Sequence, residues 1–296
     1  MQTIVLFGAN GLIGSHLSST LQSQGYAVIT VSRHPTPQQL PLDFKSPVLR
    51  QALEEAYGVV NLAGAPIIGK RLTARYRQTI RESRSGLTQQ LVSCLAELPH
   101  RPAVLINGSA IGYYGTHELT DAPYTETSPA GGGFWGNLSV EWEAAAQPAA
   151  ALGIRTVLLR TGLILANNPY GTLAKLALPF RLGIGGPVGV ASTWRSWIHI
   201  NDEIGIILLA LTDSTLSGPI NATAPEPLRN SELAHQLGNQ LHRPSWLNVP
   251  EMPLRAIFGD VCDVITRGKK VLPEKALAKG YQFNYPTFKL AINDLL

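Results

Sequence analysis

The sequence predicts an α/β protein: a doubly wound parallel sheet with a smaller C-terminal substrate-side region. Two observations carry this. Short apolar, β-branched runs alternate with helix-period stripes up to about residue 165, as in parallel strands crossed by helices. The first run, Ile4-Val5-Leu6-Phe7, breaks into Gly8-Ala9-Asn10-Gly11-Leu12-Ile13-Gly14 and passes straight into an amphipathic helix. The 296 residues suffice for a large core. We divide them into a sheet domain over 1–165 and a substrate-side region over 166–296, which ends in a small module over about 245–296.

The glycine stretch is the first functional signal. Gly8 permits a sharp exit from the strand, Gly11 removes a side chain that would block a pyrophosphate, and Gly14 lets the helix pack closely. The helix start, with Asn10, Leu12 and Ile13, offers backbone N–H groups and a partial positive charge to phosphates. The spacing is G-x-x-G-x-x-G, and an ordinary strand-to-helix turn is the plain alternative. Its place directly after a β-branched strand favours a dinucleotide site. Gly25 stops the helix, and a second strand, Ala27 to Val31, runs into Ser32-Arg33. An NAD site carries an acid there for the ribose 2′-hydroxyl, whereas a hydroxyl and a guanidinium suit a 2′-phosphate. NADP(H) is the expected cofactor. The alternative for Arg33 is a solvated surface arginine.

Residues 35 to 47, rich in Pro and Gln, read as an irregular crossover, with Leu42-Asp43-Phe44 a vestigial third strand that brings Asp43 and Phe44 near the adenine. Tyr57 to Leu62 is the next strand. It ends in Asn61-Leu62-Ala63-Gly64, where the small residues of Leu62-Ala63-Gly64 let backbone approach the cofactor. Lys70 to Leu98 is mainly helical, and Arg84 is singled out among its basic residues as a cofactor contact. Ala103 to Asn107 is a strand running into Gly108-Ser109-Ala110-Ile111-Gly112-Tyr113-Tyr114-Gly115, whose paired tyrosines read as a site wall rather than core. An acidic loop from Glu118 to Pro129 leads to a helix from Phe134 to about Ala146. Thr156 to Leu165 is read as one strand, and Arg160 within it is counted with the cofactor contacts.

From Leu176 the character changes. Pro179 to Pro187 is a glycine-dense loop, and Arg181, Trp194, Arg195 and Trp197 suit the wall of a pocket for an anionic or ring-bearing substrate. His199 reads as a satisfied structural histidine, Asp202 as the cap of the following helix, and Asn230 to Leu241 as a further capped helix. Pro244, Pro250, Pro253, Pro273 and Pro286 punctuate the terminal module.

Composition narrows the function classes. Cys94 and Cys262 are far apart and outside any C-x-x-C spacing, which argues against disulfides and structural zinc. The seven histidines show no metal-ligand spacing such as H-E-x-x-H. A net charge of +4, dispersed, indicates no nucleic-acid partner. No apolar run reaches bilayer length and no signal core is visible, so no membrane partner and a soluble, cytoplasmic location are expected.

The glycine triplet, Asn61-Leu62-Ala63-Gly64 and Tyr113-Tyr114-Gly115 resemble the extended short-chain dehydrogenase/reductase superfamily. The likeness narrows to its atypical epimerase-family branch. Phe180-Arg181-Leu182-Gly183, Trp197-Ile198-His199-Ile200, Asn221-Ala222-Thr223-Ala224-Pro225-Glu226-Pro227, Leu241-His242-Arg243-Pro244, Val271-Leu272-Pro273 and Gly280-Tyr281-Gln282-Phe283 match it in order along essentially the whole chain. The resemblance implies a Rossmann-type sheet, NADP(H) binding, a family-specific C-terminal domain and an undefined small-molecule substrate. Such proteins are described as nucleoside-diphosphate-sugar epimerase-like, and some carry a cell-division-inhibitor label.

The departure from the superfamily matters as much as the match. Its chemistry uses a Tyr-x-x-x-Lys pair one helical turn apart plus a Ser or Thr, the lysine lowering the tyrosine pKa. Counting back from Glu143, those positions fall on Trp135 and Ser139, and the hydroxyl position on Ala110, beside Ser109. Tyr285 to Lys289 has the spacing but contains Pro286 and lies beyond the sheet domain. Ser109, Tyr113 and Tyr114 are therefore the catalytic candidates. Two readings stand: an NADP(H)-dependent oxidoreductase or epimerase whose proton chemistry has moved, or a non-catalytic NADP(H)-binding sensor or interaction protein.

Overall fold

The computed structural model describes residues 1–67, 70–116, 120–168, 171–248, 252 and 261–296, so Glu118, Pro250 and Pro253 lie outside the described residues. Strands β1 (Thr3–Phe7), β2 (Ala27–Ser32), β3 (Leu40–Pro41), β4 (Gly58–Asn61), β5 (Val104–Ala110) and β6 (Arg155–Thr161) lie side by side in the order β6-β5-β4-β1-β2-β3. Every pairing is parallel. A seventh strand, Gly218–Ala222, joins the β6 edge in parallel, so the sheet expected from residues 1–165 takes one strand from beyond them.

Side-chain alternation sorts the apolar runs onto two faces. Ile4 and Leu6 of β1, Val60 of β4 and Val104 and Ile106 of β5 face α1 (Leu12–Ser23) and the Ile200–Thr212 helix, meeting Leu17, Leu21, Ile207 and Leu211. Val5, Phe7, Val59 and Leu105 face the other way, onto Leu49 and Leu53 of α2 (Pro47–Glu54) and Leu91 and Leu95 of α4 (Leu87–Ala96). Burial on both faces is why these strands read as continuous apolar runs. Each fully buried side chain of this kind contributes about 1.5–3 kcal/mol.

Three expectations are corrected by local chemistry, and the mainly helical reading of Lys70 to Leu98 holds with detail added. The third strand is Leu40–Pro41 rather than residues 42–44, because the Asp43 carboxylate accepts the Lys45 N–H at 2.9 Å and turns the chain toward α2. The strand expected over 156–165 breaks at Gly162, where a Cβ would lie 2.8 Å from the Ser196 carbonyl oxygen. Leu163–Leu165 then leaves to pair with Trp197–His199. Between Lys70 and Leu98 the helix begins only at α3 (Ala74–Arg81), capped by Thr73, and a π-helical turn, Glu82–Gly86, joins it to α4. The Ile200–Thr212 helix is capped by His199, whose Nδ1 accepts the Asn201 N–H, and not by Asp202. Asp202 instead accepts the Asn284 and Tyr285 N–H groups at 2.8 and 2.9 Å, fastening the terminal segment to the sheet domain. His199 is buried as a structural residue, stacked on Tyr285 at 3.7 Å between ring centroids.

Glu203, on the same helix, is fully buried, with Oε1 accepting the Thr161 hydroxyl at 2.7 Å and Oε2 without a partner among the described residues. Burial pushes its carboxyl up to about 8, against the Thr161 hydrogen bond. The native state therefore keeps a proton that the unfolded chain loses above its ordinary carboxyl range. We expect stability to fall between about pH 4.5 and 8, by up to about 1.4 kcal/mol per pH unit from this group, and then to level off. Urea unfolding across that window should show the slope in wild type and lose this component in Glu203→Gln, and an identical profile in the variant would refute the assignment.

Candidate functional site

Parallel pairing brings the strand ends together: Phe7 lies beside Val31 and Asn61, and Asn61 beside Asn107. The chain leaves β1 at Gly8 with φ 84°, so close to β4's exit that a Cβ there would sit 2.7 Å from the Leu62 carbonyl and 2.8 Å from the Ala63 nitrogen. A Cβ on Gly14 would collide with the Gly8 carbonyl oxygen, so α1 rests directly on the turn. The resulting cleft, about 540 Å³, is lined by Gly8, Asn10 and Gly11, by Ser32, Arg33 and His34, and by Leu62, Ala63 and Gly64. Leu12 and Ile13 open α1 and pack partly on the core, and Asp43 lies outside the lining, held in its turn. A larger hollow, about 680 Å³, sits against α4 and α5 (Gly133–Ala146), lined mainly by small side chains such as Ser93, Ala96 and Ala145. It has no glycine cradle, and volume alone does not make it the site.

Arg84 stands behind this cleft. The π-turn packs its guanidinium against Gly64, where a Cβ would lie 2.9 Å from Cζ, and Nη1 donates to the Ala65 carbonyl at 3.1 Å. It also faces the Trp142 ring at 5.3 Å. Burial lowers the guanidinium to about 10, so it stays charged at neutral pH, with no carboxylate partner among the described residues. Below lies a polar cluster that sequence reading missed: Asn61 Nδ2 donates to Asn107 Oδ1 (2.8 Å) and Thr88 Oγ1 (3.0 Å), and Trp142 Nε1 donates to Thr88. Its signal was an asparagine directly after a buried apolar run in each of two neighbouring strands, Val59-Val60-Asn61 and Leu105-Ile106-Asn107.

Three of the expected site residues belong to a second, buried network at the ends of β5 and β6. Arg160, 3% exposed, grips Glu143 through Nε–Oε1 at 2.7 Å and Nη2–Oε2 at 2.8 Å, and the Ser109 hydroxyl donates to the same Oε1 at 2.7 Å. Burial alone would lower the Arg160 guanidinium, but the Glu143 carboxylate outweighs it and holds the group above its ordinary range. Arg160 is thus committed to an ion pair rather than to the cleft. Tyr114, expected as a site wall, is 1% exposed: its hydroxyl accepts from Arg160 at 3.0 Å and lies 2.7 Å from Asn221 Oδ1 and 2.9 Å from the Thr125 carbonyl. Burial pushes this phenol up to about 12. Tyr113, half-buried, lies under the Arg160 guanidinium at 3.4 Å, and its hydroxyl has no hydrogen-bond partner among the described residues. Glu126 and Asn221, also missed, link the network to the terminal segment: Glu126 accepts the Asn221 and Lys275 N–H groups, and Asn221 Nδ2 donates to the Leu272 carbonyl.

On α5, Trp135 and Ser139 are both buried, and Ser139 donates to the Trp135 carbonyl at 2.9 Å. They face the turn at Gly112, where a Cβ would lie 3.6 Å from each. The four expected substrate residues are not brought into one pocket. Trp197 is fully buried, donating to the Glu226 carbonyl and packed edge-on against Phe288, because it belongs to the core under the terminal helix. Arg195 is buried and donates to Asn230 Oδ1 and the Val188 carbonyl, with its guanidinium lowered to about 10 by burial. Trp194 is covered by Arg229 at 4.0 Å and donates to Asp121, and Arg181 is exposed at the end of the Thr172–Arg181 helix. Among the described residues there is no group of histidines, cysteines and carboxylates that could hold a metal ion, and no helix long and apolar enough to cross a membrane.

Removing one partner of a buried ion pair strands the other, at a cost of about 3–5 kcal/mol. We expect Glu143→Leu to destabilise by that amount in urea unfolding and the double variant Glu143→Leu, Arg160→Leu to recover part of it. Additive losses would mean that the pair is not energetically coupled.

Comparison with known proteins places this geometry. Residues 4–222 match the model of the NAD dependent epimerase/dehydratase family, and residues 249–295 match a domain of unknown function, DUF1731. The epimerase family protein SDR39U1 homolog, chloroplastic, of Arabidopsis thaliana is 36% identical over 99% of this chain and 86% of its own length. The epimerase family protein SDR39U1 of Mus musculus is 34% identical over 99% of both chains. The crystal structure of human epimerase family protein SDR39U1 (isoform2) with NADPH superimposes with a TM-score of 0.90, at 32% identity over 99% of each chain. With its glycine cradle, its parallel sheet and a family match across most of its length, the chain belongs to the NAD dependent epimerase/dehydratase family.

Proposed function

We propose that this chain is an NADP(H)-dependent oxidoreductase or epimerase acting on a small carbonyl compound or sugar nucleotide, with Tyr113 handling the proton. The observation that carries the cofactor reading is the end of β2: Ser32 and Arg33 line the cleft where a NAD site would carry an acid. The rest of the cradle fits a dinucleotide. Gly8 and Gly11 leave backbone bare, and a Cβ at Gly11 would already press to 3.3 Å on the Gly8 carbonyl oxygen. The backbone from Asn10 to Ile13 would hold the pyrophosphate, and Ser32 and Arg33 the 2′-phosphate. Leu62 to Gly64 lets backbone approach the nucleotide, and the buried Arg84 cation behind Gly64 favours negative charge in front of it. NADPH in the human SDR39U1 structure supports the same reading.

When bound, the nicotinamide supplies or accepts a hydride. The chain must then supply or accept a proton at the substrate oxygen. Ser109 and Tyr114 already give their protons to partners inside the buried network. Tyr113 keeps its hydroxyl free of protein partners among the described residues, while Arg160 holds its ring from above. A phenol is a proton donor at neutral pH, which matches reduction of a carbonyl: the proton goes to the new alcohol oxygen, and Tyr113 regains one from solvent through its half-open side.

Titrations should show NADPH binding more tightly than NADH, and Arg33→Ala should weaken NADPH roughly ten- to a hundred-fold, about 1.5–3 kcal/mol, with NADH little changed. Equal wild-type affinities would overturn the cofactor reading. Following NADPH consumption over a panel of carbonyl compounds and sugar nucleotides, we expect Tyr113→Phe to lower turnover at least about a hundred-fold without loss of NADPH binding. Undiminished turnover in that variant would remove Tyr113 from the mechanism.

A further inference from the structure

A chain of hydrogen bonds starting at a backbone N–H reaches the wall of the cleft. The Thr36 N–H donates to Gln39 Oε1 at 3.2 Å. A backbone N–H can only donate, so the atom facing it is the Gln39 oxygen and the other is Nε2. Nε2 donates to Asn10 Oδ1 at 2.8 Å, which turns Asn10 Nδ2 toward Ser32 Oγ at 3.4 Å. A second backbone donor, the His34 N–H, reaches Ser32 Oγ at 3.2 Å. A serine hydroxyl has two lone pairs and one proton. Both lone pairs of Ser32 are taken, and its proton is given to no other described residue.

We propose that Gln39, acting through Asn10, is a positioning residue that holds the Ser32 hydroxyl with its proton toward the cleft and so selects a 2′-phosphate over a 2′-hydroxyl. This rests on the NADP(H) reading above. With Ser32 held as a donor beside the Arg33 guanidinium, this wall offers protons only. A phosphate presents acceptors only and satisfies both. Without Gln39 the Asn10 amide is free to turn its oxygen toward Ser32, capture that proton, and leave a lone pair facing the phosphate. The Gln39 N–H also donates to the Thr36 carbonyl at 2.9 Å, so the turn that carries the relay is closed at both ends before β3 begins.

The test uses two fragments that differ only in the phosphate, 2′,5′-ADP and 5′-AMP, titrated calorimetrically against wild type, Gln39→Met, Ser32→Ala and the double variant. Wild type should prefer 2′,5′-ADP by at least about tenfold. Gln39→Met, of similar length but without donor or acceptor, should lose about three- to tenfold in 2′,5′-ADP affinity and stay within about twofold for 5′-AMP. In the Ser32→Ala background the same substitution should change neither, because the group it orients is gone. A wild-type ratio near one would overturn this proposal together with the NADP(H) reading. A wild-type preference retained in Gln39→Met would overturn this proposal alone, as would an equal loss for both fragments or additive losses in the double variant.

Discussion

The structure depends on one close approach: the backbone of β1 leaving at Gly8 runs against the backbone of β4 leaving at Leu62 and Ala63. No side chain fits between them, and the φ of 84° disfavours any residue but glycine. Because the approach is made by backbone, the groups left at the strand ends are N–H and C=O rather than apolar side chains, and that suits a phosphate-bearing ligand. Gly14 extends the constraint by seating α1 on the same turn, which aims the helix N-terminus into the cleft.

A second constraint ties the β5–β6 side of the sheet to the C-terminal segment. Glu143 on α5 holds Arg160 on β6, Arg160 holds Tyr114, and Tyr114 holds Asn221 on the edge strand. Asn221 and Glu126 then bind the backbone at Leu272 and Lys275. Taking this many polar groups out of water is costly unless every one is paired. The pairing holds the segment after Tyr114 and the C-terminal segment against the sheet, while Asp202 fastens the chain at Asn284 and Tyr285. The C-terminal segment is thus tied in part to the edge strand that carries Asn221.

The sheet was legible because its signals are local. Alternating burial follows from runs such as Ile4 to Phe7, and the glycine spacing announces the turn without reference to any other segment. The cleft was legible for the same reason: Gly8, Gly11, Ser32, Arg33 and Leu62 to Gly64 each end or follow a strand, and the structure brings them together as its lining. What failed to show was pairing between distant residues. Tyr114, Trp197 and Arg160 have the residue types of a site wall, but type alone does not reveal that Asn221, the Glu226 carbonyl and Glu143 wait to bury them. The π-turn at Glu82–Gly86 was invisible because a single widened turn inside a helical run leaves no distinct sequence period, and so was the Asn10–Gln39 contact across 29 positions of sequence.

The missing Tyr-x-x-x-Lys pair has a physical counterpart in what fills its place. Trp135 is buried beside Ser139, whose hydroxyl is turned back onto its own helix, so neither position can ionise. The indole Nε1 of Trp135 has no partner among the described residues. It can donate a hydrogen bond but cannot release a proton at any ordinary pH. In the superfamily pattern, a lysine one turn away lowers the phenol and holds the ribose. Here the cationic charge without a carboxylate partner among the described residues is Arg84 behind Gly64, while the Arg160 guanidinium across the face of Tyr113 is balanced by Glu143. An arginine keeps its proton under all physiological conditions, so these groups can bias charge but cannot relay protons as a lysine can. Under the proposed function, that division leaves proton transfer to a side chain with a free hydroxyl, which suits delivery of one proton to an oxygen better than its extraction.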